Sequence, residues 1–349
     1  MGENLKTMLL EKLSQIDIKK LANFNVVIMP DFFVDHFLTM NSFEDEFSRI
    51  QFIYNQGGGN IPEIPQKIHH GGNAANTSLA LSRLGIKSHL ICRTDNFGLH
   101  LLKFFLGKSG VDLSGVKTDG KIAITTAMEF GEKHTNVLVG DTGSVSDFTF
   151  ESLNENDLQT ISNSDIACVV NWTLNERGTE LAKNVFRFAK KQNIKTFFDT
   201  GDPSHRKQDI PELTRNVLSN INLDILGLNE NELLHYNGFI TPNNDEDIIN
   251  AAISFKKKIH ARVDLHTASF ACTVSGKYTV IPTAQLSRIY RVTGAGDAWN
   301  AGNIFAEMLG FSDDERLLFA NIVAGCYISS PEPIHPNLEK IISFLKEIK

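Results

Sequence analysis

The chain has little cysteine. Its 349 residues hold four, Cys92, Cys168, Cys272 and Cys326. They are widely spaced and form no Cys-x-x-Cys pair, which excludes a disulfide framework. Each lies in an apolar run (LIC, IACVV, FACTV, AGCYI), as the buried reduced thiols of a cytosolic protein do. No run approaches the roughly 18 apolar residues of a membrane-crossing helix. Glu3, Lys6, Glu11 and Lys12 interrupt the apolar pattern at the N-terminus, which reads against a secretory signal. We expect a cytoplasmic protein with no membrane partner. Positive charge is also short: 34 Lys+Arg against 41 Asp+Glu leave a net charge of −7. A nucleic-acid binder shows a basic face, so no nucleic-acid partner is expected. A local anion site remains compatible with an acidic chain.

Several motifs are missing as well. Gly107-Lys108-Ser109 resembles the tail of a P-loop, but Leu102 stands where its first glycine is required. No Gly-x-Gly-x-x-Gly follows a strand. The eleven His show neither His-Glu-x-x-His nor paired Cys/His spacing, so no zinc site is expected. There is no internal repeat and no low-complexity tract. What remains is globular in composition, with 42% hydrophobic and 21% charged residues. The length suits one large α/β domain with an appendage, or two ordinary domains.

Short apolar runs alternate with helical patterns from residue 25 onward. The runs at 25–29, 88–92, 166–170, 195–199, 223–228 and 261–265 read as strands. The segments 74–84, 97–109, 175–192, 230–236, 246–258, 297–309 and 313–328 read as helices. Strands that are apolar throughout, alternating with helices, predict a mostly parallel sheet covered on both faces. Ahead of them, Leu5, Met8, Leu9, Leu13, Ile16 and Leu21 predict one amphipathic helix, packed on its own domain or against a partner. Residues 36–70 and 121–141 break the alternation. The second reads as a hairpin turning at Gly-Glu-Lys. Both are expected to form a small sheet that serves as a lid over the strand ends.

Four stretches carry chemistry. In RVTGAGDAWNAG (291–302), Gly294, Ala295 and Gly296 precede Asp297 and an almost wholly apolar helix. Small residues there let amide N–H groups converge on an anion, helped by the helix dipole. Asp297 beside such a hole is placed to take a proton from a hydroxyl, or is simply a helix cap. In HHGGNAANTS (69–78), Gly72 opens a helix whose Asn76 either binds ligand hydroxyls or sits exposed. Asp31 and Asp35 follow the first strand, where a parallel sheet presents ligand sites; a solvated loop acid is the alternative. Asn229 and Glu232 are spaced by one helical turn. They form a capping box, or an element near Mg²⁺ and phosphates, or both.

Together, GGNAANxxxxLxxLG and TGAGDAWNAG closely resemble the two signatures of the ribokinase-like carbohydrate kinases, the PfkB family. The resemblance runs from about residue 24 to 345 and includes the Asn-x-x-Glu unit. It implies a single α/β ribokinase-like kinase domain over 1–349, with the lid elements inserted in it. It implies transfer of the terminal phosphoryl group of Mg-nucleotide to a hydroxyl of a sugar or sugar-like alcohol. A nucleoside kinase, or an inactive nucleotide- or sugar-binding protein on the same fold, are the alternatives. By the same resemblance Asp297 is the base, and Gly294, Ala295 and Gly296 form the anion hole. Asp35, Gly72 and Asn76, with Asp31 as an added acid, bind substrate. Asn229, Thr267 and Asn321 lie at the nucleotide, and Glu232 organises Mg²⁺. A homodimer through the lid is implied too.

The chain departs from this family's pattern at three places. Arg291 replaces an Asp that helps hold a monovalent cation in potassium-activated members, so activity is expected to be independent of K⁺. His266-Thr267-Ala268-Ser269-Phe270-Ala271 lacks both glycines of the usual nucleotide-contacting turn. ATP is still expected as donor, rather than ADP. Pro30 and Asp31 stand where many members have Gly and a small polar residue. Trp172, after the central strand, either stacks on a ligand or belongs to the core.

Overall fold

The computed structural model describes residues 3–131, 135–238 and 241–348. Eight strands form the main sheet, in the order Tyr278–Pro282, Phe270–Val274, Arg262–His266, Ile225–Asn229, Lys195–Asp199, Ile166–Val169, Asn25–Met29 and Lys87–Leu90. The last six of these run parallel. The first two continue the sheet by antiparallel pairing to its edge at Tyr278–Pro282, and the sequence reading left both unassigned. The cause of the layering is visible in Asn25–Met29. Val26 and Ile28 point into one core, Val27 and Met29 into the other, and all four are fully buried. A strand apolar at every position is therefore covered on both faces.

One face carries the helices Asn73–Arg83, Ala295–Met308, Asp313–Ile328 and Leu338–Glu347. The other carries Gly178–Lys191, Glu230–Tyr236 and Asp245–Lys256. The N-terminal segment is not one helix. It divides into Glu3–Ser14 and Ile18–Leu21, because Asp17 caps a new start by accepting from the Lys19 amide. Leu9 and Leu13 are buried in the core of the chain's own sheet–helix layer, which settles its packing. No described helix is long and apolar enough to cross a membrane.

A second sheet of four strands has the order Gln66–Gly71, Phe33–Met40, Ala123–Phe130 and Thr135–Asp141. Its central pair is parallel and its outer pairs antiparallel. It starts at Phe33, ahead of the expected 36. Between its first two strands in the chain lies a helix, Phe43–Asn55, where only a piece of the small sheet was expected. Ser42 caps that helix and three acids fill its first turn, which suits the helix dipole. Phe43 packs edge-on against Phe130, on the outer face of the sheet. Glu132 and Lys133 of the expected hairpin turn lie outside the described residues.

Candidate active site

Two cavities meet where the helix Ala295–Met308 begins. The smaller, of about 280 Å³, lies between the small sheet and the ends of the parallel strands. Strand alternation points Asp35, Phe37, Thr125 and Ala127 into it. Gly72, Asn76, Asp199, Glu232 and Asp297 close it from below. The larger, of about 1260 Å³, is lined by Thr267, Ser269, Gln285, Trp299 and Asn321 among others. Asn229, His266 and Gly296 line both.

The junction is a glycine turn. Gly294 has φ 79°, a left-handed backbone that favours glycine, and a Cβ on it would crowd the Tyr327 hydroxyl at 3.0 Å. The amides of Gly296 and Asp297 make no hydrogen bond among the described residues. They stand at the positive end of a 14-residue helix. The Ala295 amide is not free: it donates to the Val292 carbonyl at 3.1 Å. Of the two helical amides expected in the anion hole, that of Ala295 is thus engaged and that of Gly296 is free, and the Asp297 amide lies open beside it.

Asp297 is buried at this junction. Asn76 Nδ2 donates to its Oδ2 at 2.9 Å, and His70 Nδ1 lies 3.0 Å from Asn76 Oδ1. Burial pushes the Asp297 carboxyl well above the usual carboxylate range. The charges of Asp199, Asp31 and Asp35 add to this, and Asn76 opposes it. Asp35 faces it from the lid, pushed up to about 6 by burial and by Asp31. Gly71 is needed opposite Asp35, because a Cβ there would lie 2.1 Å from its carboxylate.

Asp31 is not in the pocket. It is fully buried and accepts from the amides of Asn73 (2.9 Å) and Ala74 (2.8 Å) and from Asn171 Nδ2 (2.7 Å). It caps the helix Asn73–Arg83, whose first residue follows a glycine that has no side chain to do so. The added acid expected from the sequence is therefore a structural cap. Trp172 is likewise core: it is buried, donates to Thr179 Oγ1, and lies under the Arg206 guanidinium.

Asn229 and Glu232 form a complete capping box. Glu232 accepts from the Asn229 amide (3.0 Å) and side chain (2.8 Å), and Asn229 Oδ1 accepts from the Glu232 amide (2.9 Å). Both also line the smaller cavity, so the capping box stands at its wall. Burial and the charge of Asp199 push the Glu232 carboxyl well up. Asp199 is the site residue that sequence reasoning missed. It ends the apolar strand KTFFD, accepts from the Gly201 amide and Asn300 Nδ2, and is also raised by burial. Its signal was a carboxylate closing a buried parallel strand.

Asp199, Glu232 and Asp297 thus crowd three buried carboxylates around one cavity, an arrangement that a divalent cation would relieve. No three His, Cys, Asp or Glu among the described residues are grouped as a metal cage. A hydrated Mg²⁺, which takes one or two carboxylates plus substrate phosphates, would need no such cage.

In the larger cavity, Thr267 Oγ1 accepts from the amides of Ser269 (3.2 Å) and Phe270 (3.0 Å). A hydroxyl thus closes the turn that lacks its glycines. Asn321 is a wall: its side chain is engaged by Trp299 Nε1 (2.9 Å) and the Ile281 carbonyl (3.3 Å). Arg291 points away from both cavities and donates to the carbonyls of Tyr327 (3.1 Å), Ser330 (2.6 Å) and Pro331 (2.8 Å).

Comparison with known proteins agrees with this fold. The family model described as pfkB family carbohydrate kinase matches residues 45–341. A 5-dehydro-2-deoxygluconokinase of Geobacillus thermodenitrificans is 25% identical over 298 residues, spanning 80% of this chain and 85% of that one. The ribokinase of Arabidopsis thaliana, solved with ribose and ATP, superposes with a TM-score of 0.75 at 20% identity, over 93% of this chain and 98% of that one. The adenosine kinase of Sinorhizobium meliloti gives 0.72 at 17%, over 93% and 99%. The fold is ribokinase-like.

Proposed function

The chain belongs to the pfkB family of carbohydrate kinases, phosphotransferases that act on an alcohol group, and on that premise we propose its reaction. It transfers the terminal phosphoryl group of magnesium-bound ATP to a hydroxyl of a sugar or sugar-like alcohol held under the lid. One observation carries this reading. Two cavities of unequal size meet at a helix N-terminus that offers free amides, and a buried carboxylate stands between them.

The acceptor occupies the smaller cavity, where Asp35, Asn76 and Asn171 offer hydrogen-bonding groups to its hydroxyls. Asp297 takes the proton from the attacking hydroxyl, and its raised affinity for protons makes it a stronger base than an exposed Asp. The amides of Gly296 and Asp297 stabilise charge on the phosphoryl oxygens, with Gly294 and Ala295 setting the turn. Asn229, Thr267 and Asn321 border the nucleotide. Mg²⁺, with Glu232 as its protein anchor, supplies charge neutralisation at the phosphates. Exposed Val137, Leu138 and Val139 on the outer lid strand support a homodimer through the lid.

A coupled turnover screen tests this. It crosses ATP and ADP with sugars, polyols, nucleosides and phosphosugars, with Asp297→Asn alongside. Turnover with ATP and a sugar or polyol, abolished in the variant while nucleotide still binds, is expected. Nucleotide binding without turnover on any acceptor would favour a binding protein on this fold. A variant as active as wild type would overturn the assignment of the base.

A further inference from the structure

The two cavities are short of positive charge. Neither is lined by a Lys or Arg among the described residues, whereas Asp35, Asp199, Glu230, Glu232 and Asp297 border them. His266 is the one basic side chain on either wall, and it lies on both. It ends the strand Arg262–His266, and its ring is held against Trp299 at 4.9 Å between centroids. A Cβ built on Gly296 would lie 3.5 Å from its Cε1 and 3.6 Å from its Nε2, so the imidazole edges the free amides of the glycine turn.

Its nitrogens make no hydrogen bond among the described residues. In the turn that follows, the amides of Ser269 and Phe270 are both engaged by Thr267 Oγ1, and that of Thr267 by the Phe270 carbonyl, which leaves the Ala268 amide as its one open backbone donor among the described residues. Most of the backbone donors that a glycine turn could present to a phosphate are closed off here, and a side-chain donor stands beside the one that remains.

We propose that His266 is a catalytic residue that binds the phosphoryl group crossing from the larger cavity to the smaller one, donating an imidazole N–H to a phosphoryl oxygen. The inference rests on the kinase reading above. In the step it assists, the acceptor oxygen bonds to the terminal phosphorus and the bond from that phosphorus to the bridging oxygen breaks. The electron pair leaves with ADP, and the hydroxyl proton goes to Asp297. His266 keeps its own proton throughout. Burial holds the imidazole neutral, down to about 4, so it offers one donor and one acceptor.

Calorimetry on the full chain separates the outcomes, without any need for the acceptor. Mg²⁺ with ADP and Mg²⁺ with the β,γ-imido analogue of ATP are titrated into wild type, His266→Phe and His266→Gln. Phe keeps the ring against Trp299 and removes the donor; Gln restores a donor. A hydrogen bond to a charged group predicts that Phe weakens the triphosphate analogue about tenfold or more, leaves ADP within about twofold, and that Gln recovers part of the loss. ADP binding also reports that each variant is folded; if Phe fails to fold, Gln against His266→Asn gives the same comparison. An unchanged ratio of the two affinities in the variants overturns the inference alone. Wild type that binds neither nucleotide sinks the kinase reading and this inference together.

Discussion

Asp297→Asn should make the protein more stable at pH 8 and leave it without activity. The Asp297 carboxyl is buried, has Asn76 as its donor, and forms no salt bridge among the described residues. Burial and three neighbouring carboxylates raise its folded-state value. The folded state therefore holds this proton more tightly than the unfolded chain does. The resulting stability is fully present below the unfolded value of about 3.9 and is lost as pH rises through the folded one. Asn has the same shape, keeps an oxygen for Asn76 Nδ2, and does not ionise. Where wild type must carry the charge, an under-solvated buried group costs about 1–3 kcal/mol. Unfolding 349 residues at about 2.1 cal/mol/K each gives roughly 0.7 kcal/mol/K, so the melting temperature rises by about 1.5–4 °C.

Scanning calorimetry of both proteins at pH 5 and pH 8, with chelator and without nucleotide, reads the difference. It should be larger at pH 8 and shrink toward pH 5, while turnover falls about 10²–10⁴-fold. An Asn variant that melts at or below wild type at pH 8 would refute the reasoning, because the carboxylate would then be well accommodated and no reservoir of basicity would exist. A stabilised variant that retained full turnover would locate the base elsewhere.

Two further expectations concern Arg291 and Asp35. The Arg291 guanidinium already occupies the carbonyls of Tyr327, Ser330 and Pro331. A charge-assisted set of this kind needs no added cation, so turnover in KCl and NaCl should agree within about twofold; clear stimulation by K⁺ would sink the idea. Asp35, raised to about 6, is ionised above that pH and protonated below it. The acceptor KM should therefore rise as pH falls through about 6, and Asp35→Asn should flatten that limb. A KM constant from pH 5 to pH 8 in wild type would remove Asp35 from acceptor binding.

The parts of the fold that were legible in the sequence depend on short-range pattern. Strands apolar at every position report burial on both faces, and Gly294-Ala295-Gly296 reports a turn that only small residues can make. The antiparallel strands Phe270–Val274 and Tyr278–Pro282 escaped because five residues after a degenerate turn carry little periodicity. The lid helix Phe43–Asn55 escaped because its aromatics touch only one sheet face and stay partly exposed, so no clean apolar stripe forms. Asp31 and Asp35 show the limit most plainly. Both follow the first strand, four positions apart, and both are raised to about 6 by burial. Alternation from Phe33 turns Asp35 into the cavity, while Asp31 lies ahead of that strand and beneath a helix whose first amides it satisfies. The difference belongs to the helix 42 residues downstream, not to the acids themselves. The same holds for the base: Asp297 owes its one donor to Asn76, 221 positions away, and His266 gains its place between two cavities only where its strand end meets Gly296. A motif names the groups available for chemistry, whereas the crossing of distant segments decides which of them face one another.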